Sequence, residues 1–390
     1  MSSTSASVRQ PWVALAGCFL IATGFNAYLF APASIMPPFV AAFGIDKTAA
    51  GVAISIVFLA WGVFQIPGGF VMDRYDNRIL VLMGVGVFLA AAASALVAPT
   101  YRMFLVTRFV GGAAAVFLWT ANVNIVSQSM PPARRALGTS LFVTSAPAGI
   151  TLAQALGPPL ETVLGWRGVV AVYAVVTVCG LPPFVWALTE PIRNDTALSL
   201  SGFVTALRDT RVLAISLSSF CAYSLFVLFN SWMPTYATEV IGVGIGTAGA
   251  LAALLPAMGI VARPGGGWLS DRIGGRRRPV IVAAFVLVVP ALVGAGLATS
   301  VVGFAAALLV AGVGSQLGTG VFYVYVDEVA AADSGGTSLA VLMTLSIAGS
   351  LAAPVTVGWL VEMVSWSAAF VFGGLLTVGG IAAVAGLSRL

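Results

Sequence analysis

One arginine sits where a charge is hardest to keep. Arg263 lies in Gly259-Ile-Val-Ala-Arg-Pro-Gly-Gly-Gly-Trp268, an apolar stretch that reads as membrane helix. An ionisable group at such depth is costly and generally has a functional reason. Arginine keeps its proton in practically any environment and presents a planar fork suited to carboxylates and similar oxyanions. The chemistry on offer is that of a permanent cation waiting for an anion. Uncharged donors are spaced to assist it. Tyr223 and Asn230 are seven residues apart, two helical turns on one face, and Gln316 and Tyr323 repeat the spacing. Asn26, Tyr28, Asn122 and Gln154 add amides and a hydroxyl within other apolar runs. Such groups can complete an anion's hydrogen-bond shell or simply bond helix to helix.

Other chemistry is scarce. Histidine is absent, which removes the commonest metal ligand and the usual proton shuttle. Cys18, Cys179 and Cys221 are scattered in apolar segments, without zinc or disulfide spacing. No nucleophile–base pair, metal cluster or cofactor loop is legible, so no enzyme, metal site or cofactor is expected.

The elements that hold these residues follow from composition. Of 390 residues, 59% are hydrophobic and 8% charged, which no soluble fold can bury, so the chain reads as an all-α membrane protein. A bilayer core of about 30 Å needs about 20 apolar residues per helix. Twelve spans fit, near 12–36, 48–71, 79–98, 102–126, 137–160 and 168–188, then 212–237, 247–269, 279–297, 301–325, 336–361 and 367–388. The first is too long for a cleaved signal peptide. The polar stretch around 190–211 divides the chain into residues 1–190, a linker 191–210, and residues 211–390.

The two parts repeat. Gly69-Phe-Val-Met-Asp73-Arg74 recurs as Gly267-Trp-Leu-Ser-Asp271-Arg272, and Ala50-Gly51 as Ala248-Gly249, both at an offset of 198. Gly138-Thr139-Ser140 recurs as Gly336-Thr337-Ser338 at the same offset, and Trp166 and Trp366 differ by 200. A nearly constant offset of half the length predicts two pseudo-symmetric six-helix bundles. Arginine marks the orientation: with the N-terminus inside, one set of loops and tails collects 13 arginines, the other only Lys47, Arg102 and Arg167. Both termini are therefore expected in the cytoplasm, with the chain in the cell membrane. The net charge of +5 reflects these loops and not nucleic-acid binding.

With these motifs the sequence resembles the major facilitator superfamily over its whole length. The carrying residues are Gly69-x-x-x-Asp73-Arg74-x-x-x-Arg78 after the second span and Gly267-x-x-x-Asp271-Arg272-x-Gly274-x-Arg276 after the eighth, with Asp76 where the first copy should have glycine. The resemblance implies a latch in which these aspartates and arginines pair across the bundle interface. Arg108-Phe-Val-Gly-Gly112 resembles a second superfamily motif and implies either a structural or a coupling arginine. Gly157-Pro158 lacks the paired glycines of the exporter pattern. Val261-Ala262-Arg263-Pro264 looks like the eighth helix of the monocarboxylate and oxalate/formate transporters, and Arg134-Arg135-Ala136-Leu137-Gly138 through Ala146-Pro147-Ala148-Gly149 resembles that group's helix 4–5 segment. There the arginine pairs with the substrate carboxylate. The acid expected one turn earlier is Gly259, and the lysine of the first helix is replaced near Ala33, which argues against proton symport by that route. Ser231-Trp232-Met233-Pro234-Thr235-Tyr236 is similar, more weakly, to cyanate-permease-like carriers.

Arg263 precedes Asp271 by eight residues, about 12 Å at ~1.5 Å per residue, which puts it near the bilayer midplane. The 13 acids all map to loops, the linker or helix ends. A central cation without a carboxylate partner calls for a mobile counter-ion. The expectation is a secondary or facilitative transporter of small anions, most simply monocarboxylates, working by alternating access in the lipid bilayer. Each chain carries both halves, so a monomer is expected. The alternative is an exporter of drugs or hydrophobic metabolites, with aromatics such as Trp119 and Trp232 in the leading role.

Overall fold

The computed structural model describes residues 9–193, 200–330 and 335–386. The N-terminal tail, part of the expected linker and the last residues of the expected twelfth span lie outside them. Helix α1 (Pro11–Ser34) opens on a proline, whose missing N–H is no loss in a first turn. A short α2 (Met36–Phe43) restarts on Pro37 and carries the span beyond its expected end at 36. Helix α3 (Lys47–Arg74) is capped by Asp46, which accepts the Ala49 N–H at 2.7 Å. Helix α4 (Asn77–Leu96) is capped by Asp76 and α5 (Tyr101–Ala115) by Thr100. A six-residue π segment, Val116–Ala121, joins α5 to α6 (Asn122–Ser129). Helices α7 (Arg135–Val143), α8 (Ser145–Cys179) and α9 (Leu181–Ala187) complete the first half. A short α10 (Leu200–Arg208) follows. The second half contains α11 (Thr210–Glu239), α12 (Ile245–Arg272), α13 (Arg277–Leu297), α14 (Val301–Leu317), α15 (Thr319–Val329), α16 (Gly335–Met363) and α17 (Trp366–Gly386).

Among the described residues, 11 helical segments are long and apolar enough to cross a membrane. One of them, Arg135–Ala187, has 53 residues, about twice what one crossing needs. It reverses at Gly165, where φ is 66° and ψ 169°, a backbone that only glycine adopts readily. The segment is thus two crossings, and the total is the expected twelve in two six-helix bundles.

The repeat is real, but its register shifts. Lys47 and Ile245 start equivalent helices 198 residues apart, whereas Asn77 and Arg277, Tyr101 and Val301, and Trp166 and Trp366 stand 200 apart. The two additional residues fall in the loop after α12, where Gly274 and Gly275 both have positive φ. Close approaches obey the same register. A Cβ on Gly112 would stand 2.6 Å from the Val57 carbonyl oxygen, and one on Gly312 2.5 Å from that of Leu255. The Gly138/Gly336 match at 198 is therefore two residues out of structural register.

The seam between the halves is formed by α3 against α16 and α8 against α12. Its named contacts gather towards the end that carries Lys47. There Lys47 Nζ meets Glu239 Oε2 at 2.9 Å and the Lys47 N–H donates to Glu362 Oε2 at 3.2 Å. Trp366 Nε1 donates to the same Glu239 oxygen at 3.2 Å. Deeper in, Ser55 Oγ donates to the Leu351 carbonyl at 2.7 Å and Gln154 Nε2 to the Asn230 carbonyl at 2.7 Å.

Candidate substrate-binding cavity

A cavity of about 630 Å³, including the part continuous with the outside, lies at mid-depth between the halves. Its polar lining consists of Asn26, Tyr223, Arg263, Tyr323, Ser346 and Ser350. Phe30, Phe58, Trp61, Trp119 and Phe226 form half of the remaining wall, and aliphatic side chains the rest. Trp119 reaches it from the π segment. Such segments widen a helix by one residue per turn and recur at functional sites.

Arg263 is the one charged group in this lining, 7% exposed. Its Nε donates to Gln316 Oε1 at 3.1 Å and one Nη to the Val143 carbonyl at 3.2 Å, and the guanidinium carbon lies 5.4 Å from the centre of the Phe226 ring. Two of the five N–H groups are thereby engaged and three remain. Among the described residues no ion pair includes Arg263. Gln316 is itself held by donating to the Leu255 carbonyl at 3.2 Å. Gly259 explains how the amide fits: any side-chain atom there would collide with it. At the position where the resembled transporters carry an acid, this chain has a glycine, and a neutral amide from α14 occupies the space.

Tyr223 and Tyr323 share a hydrogen bond at 2.9 Å. One hydroxyl proton makes that bond, which leaves the other free to donate. Asn26 stands on α1 with its Nδ2 bonded to the Ala22 carbonyl at 2.8 Å. Gln65, the repeat mate of Arg263, accepts from Trp61 Nε1 at 3.0 Å. The cavity's charge therefore comes from the second half alone.

Of the expected binding residues, Arg263, Asn26, Tyr223 and Tyr323 reach the cavity, and Gln316 stands directly behind Arg263. Tyr28, Asn122, Gln154 and Asn230 do not line it. Asn230 is two turns beyond Tyr223, and that rise of about 10 Å carries it into the seam with Gln154. Asn122 bonds the Leu118 carbonyl in the π segment just before it at 3.0 Å. Trp232 is also outside the lining, buried within the second half and donating to the Pro354 carbonyl at 3.0 Å. Ser346 and Ser350 were not expected, although their spacing of four residues puts both on one helical face.

Arg108 faces away from the cavity. It is fully buried, with its Nη atoms 2.8 Å from the Tyr28 carbonyl and 2.6 Å from that of Leu29, and its Nε 3.2 Å from that of Ala53. The Tyr28 ring covers it at 4.5 Å. Pro32 explains the demand, because it has no N–H to give the Tyr28 carbonyl four residues earlier.

The loop residues pair differently from the expected latch. Arg78 meets Asp76 at 2.7 Å and donates to the Leu188 carbonyl at 2.9 Å, all within the first half. Burial pushes the Asp76 carboxyl up, but hydrogen bonds from the Arg78 side chain and from the N–H groups of Ile192 and Arg78 outweigh it and hold the group below the usual carboxylate range. Asp271 meets Arg277 at 2.6 Å, and Arg277 also pairs with Glu328 at 2.9 Å, all within the second half. Arg272 lies over Trp268 at 5.1 Å, while Arg74 and Arg276 are exposed. The expected pairing across the interface is thus not what Arg78 and Asp271 do. Each has a nearer partner in its own bundle, and Lys47–Glu239 is an ion pair that does join the bundles.

A two-bundle membrane protein with a polar cavity on its pseudo-symmetry seam is the architecture of an alternating-access carrier. The chain belongs to the Major Facilitator Superfamily, whose family model matches residues 15–354. It is thus a multi-pass membrane transporter and not an enzyme. It is 26% identical over 272 residues to the probable nitrate/nitrite antiporter NarK1 of Thermus thermophilus, covering 64% of this chain and 60% of that protein. With the probable galactarate/D-glucarate transporter GudP of Bacillus subtilis it shares 22% identity over 383 residues, covering 87% and 83%. The crystal structure of a bacterial homologue of the lysosomal transporter Spinster, in an inward-facing and occupied conformation, superposes with a TM-score of 0.77 at 16% identity, over 98% of this chain and 93% of that one.

Proposed function

We propose that the chain carries small organic anions, with a monocarboxylate as the simplest substrate, and that Arg263 binds the anionic group. The observation that carries this reading is a buried arginine facing a mid-depth cavity with only neutral partners, Gln316 and the Val143 carbonyl. Three unused N–H groups and a tyrosine pair supply the remaining donors. Relatives named for nitrate/nitrite and galactarate/D-glucarate add support for anions as a class. The cavity brings no carboxylate of its own, which favours uniport or exchange over a carboxylate-relayed proton symport.

The arginine-rich loops favour a cell-membrane orientation with both termini in the cytoplasm. The Lys47–Glu239 seal then faces outward, and the conformation described is closed to the exterior. Asp73, Arg74, Arg272 and Arg276 remain candidates for contacts of the opposite conformation. The first half ends near residue 190 and the second begins near 211, and a single chain forms the whole pathway.

The test is uptake into proteoliposomes from a panel of monocarboxylates, dicarboxylates, cyanate and nitrate, comparing wild type with Arg263→Gln. Removing one partner of a buried charge pair costs about 3–5 kcal/mol, so the variant should lose on the order of a hundredfold or more in kcat/KM for the carried anion. If Arg263→Gln carries every accepted anion as well as wild type, the reading is wrong.

A further inference from the structure

The cavity wall carries information that its charge alone does not. Phe30, Phe58, Trp61, Trp119 and Phe226 line it, and several are packed edge to face. Phe30 stands 6.5 Å from Phe58 and 6.5 Å from Phe226, and Trp61 6.3 Å from Trp119, each pair at 63–74°. Phe30 and Phe226 belong to different halves, so the aromatic lining bridges the seam beside Arg263. A linking phenyl ring among these walls would have edge-to-face partners on more than one side. By contrast, the charged lining is a single guanidinium, and its repeat mate is the neutral Gln65.

We propose that the preferred substrate is a monoanion with one carboxylate on an apolar, ring-sized body, an aryl or arylalkyl carboxylate. This rests on the anion reading above and narrows it. The carboxylate takes the free N–H groups of Arg263 and the spare tyrosine proton, while the ring lies among the five aromatic side chains. A second carboxylate would meet no second cation in the lining, and leaving a buried charge unpaired costs on the order of a hundredfold or more in affinity. A polyhydroxylated diacid would also set many of its hydroxyls against the aromatic and aliphatic wall. A small inorganic anion could use Arg263 but would leave the aromatic walls without a partner.

The experiment uses purified full-length protein in proteoliposomes. Uptake of radiolabelled phenylacetate is measured alone and against unlabelled benzoate, acetate, succinate, galactarate, nitrate and the neutral phenylacetamide. Phenylacetate and benzoate should compete at least tenfold better than acetate, and the other compounds should compete weakly. Losing one ring–wall contact is worth roughly 2- to 12-fold, so Phe58→Leu and Trp119→Leu should each raise the KM for phenylacetate by that factor and narrow the preference for phenylacetate over acetate accordingly. Quenching of wild-type tryptophan fluorescence by phenylacetate, reduced in Trp119→Phe, gives a binding readout that does not depend on turnover. If nitrate, succinate or galactarate outcompetes phenylacetate, this inference fails while the anion reading stands. Phenylacetamide competing as well as phenylacetate overturns both, because the charge would then not matter. Uptake of no anion at all, by protein that is folded, overturns both as well.

Discussion

Replacing Gly259 by alanine perturbs Arg263, the proposed anion ligand, without touching it. The new Cβ would collide with the Gln316 amide. That amide is the far end of a flexible side chain, so it can swing aside while the backbones of α12 and α14 stay in place. Gln316 would then give up its bond to the Leu255 carbonyl and its acceptance of the Arg263 Nε–H at 3.1 Å. A hydrogen bond to a charged group contributes about 1.5–3 kcal/mol. With only the Val143 carbonyl left to orient the fork, the KM of the carried anion should rise about tenfold or more, at 1.4 kcal/mol per decade. Gln316→Ala should have a similar effect, and the double variant little more, since both remove one interaction. Gly266→Ala is the matched control. It lies seven residues along the same helix, but its Cβ would strike the Leu317 carbonyl oxygen, a backbone atom that cannot step aside. That variant should lose thermal stability outright. The assay is proteoliposome uptake at graded substrate concentration, paired with thermal unfolding in detergent. A folded Gly259→Ala protein with a wild-type KM would refute the role given to Gln316, and equal destabilisation by the two alanines would refute the argument from flexibility.

Other outcomes follow from the same geometry. Arg108→Gln should destabilise the fold chiefly through the Tyr28 carbonyl, which Pro32 leaves without a helical donor, at about 1–3 kcal/mol for a buried orphan. Thermal unfolding should drop sharply, and added substrate should not restore the difference. Glu239→Gln removes an ion pair at the seal, which as a part-exposed pair is worth about 0–1 kcal/mol. It should therefore raise labelling of a cysteine introduced at Asn230 by no more than about fivefold, and the exchange Lys47→Glu with Glu239→Lys should bring labelling back down. Asp76 has a folded-state pKa below its ordinary value of 3.8, so its contribution to stability is complete above that value and is lost as pH falls through the folded pKa. Asp76→Asn should flatten the acid limb of the stability profile below about pH 4, and an unchanged limb in acid-unfolding scans would contradict the assigned hydrogen bonds.

How far the chain could be read in advance depended on the physics behind each feature. Span positions follow from the bilayer, which demands a continuous apolar length whatever the helix packs against. The one apparent disagreement, a 53-residue helical segment, comes from a tight reversal at Gly165 and not from a missing crossing. Cavity-facing residues were harder. In a soluble helix, polarity shows which face points outward. In this chain, lipid-facing and cavity-facing positions are both apolar, so helix rotation leaves little trace. Tyr223 and Asn230 share a face, yet one meets the cavity and the other the seam, because the two turns between them exceed the depth of the site.

The local sequence determined twelve spans, their duplication, an arginine near mid-depth and the absence of an acid one turn before it. Each follows from counting apolar lengths and charges along one dimension. Only the tertiary structure decided what stands in place of that acid. Gln316 is 57 residues from Gly259, and neither residue announces the other. A glycine adds no clash and an amide no charge, so their fit becomes visible only when α12 and α14 are packed together. The same packing turned Arg108 towards the carbonyl that Pro32 leaves free and placed aromatic rings from both halves beside Arg263. Charge and length can be read along the chain, but the complementarity of surfaces brought together from distant positions cannot.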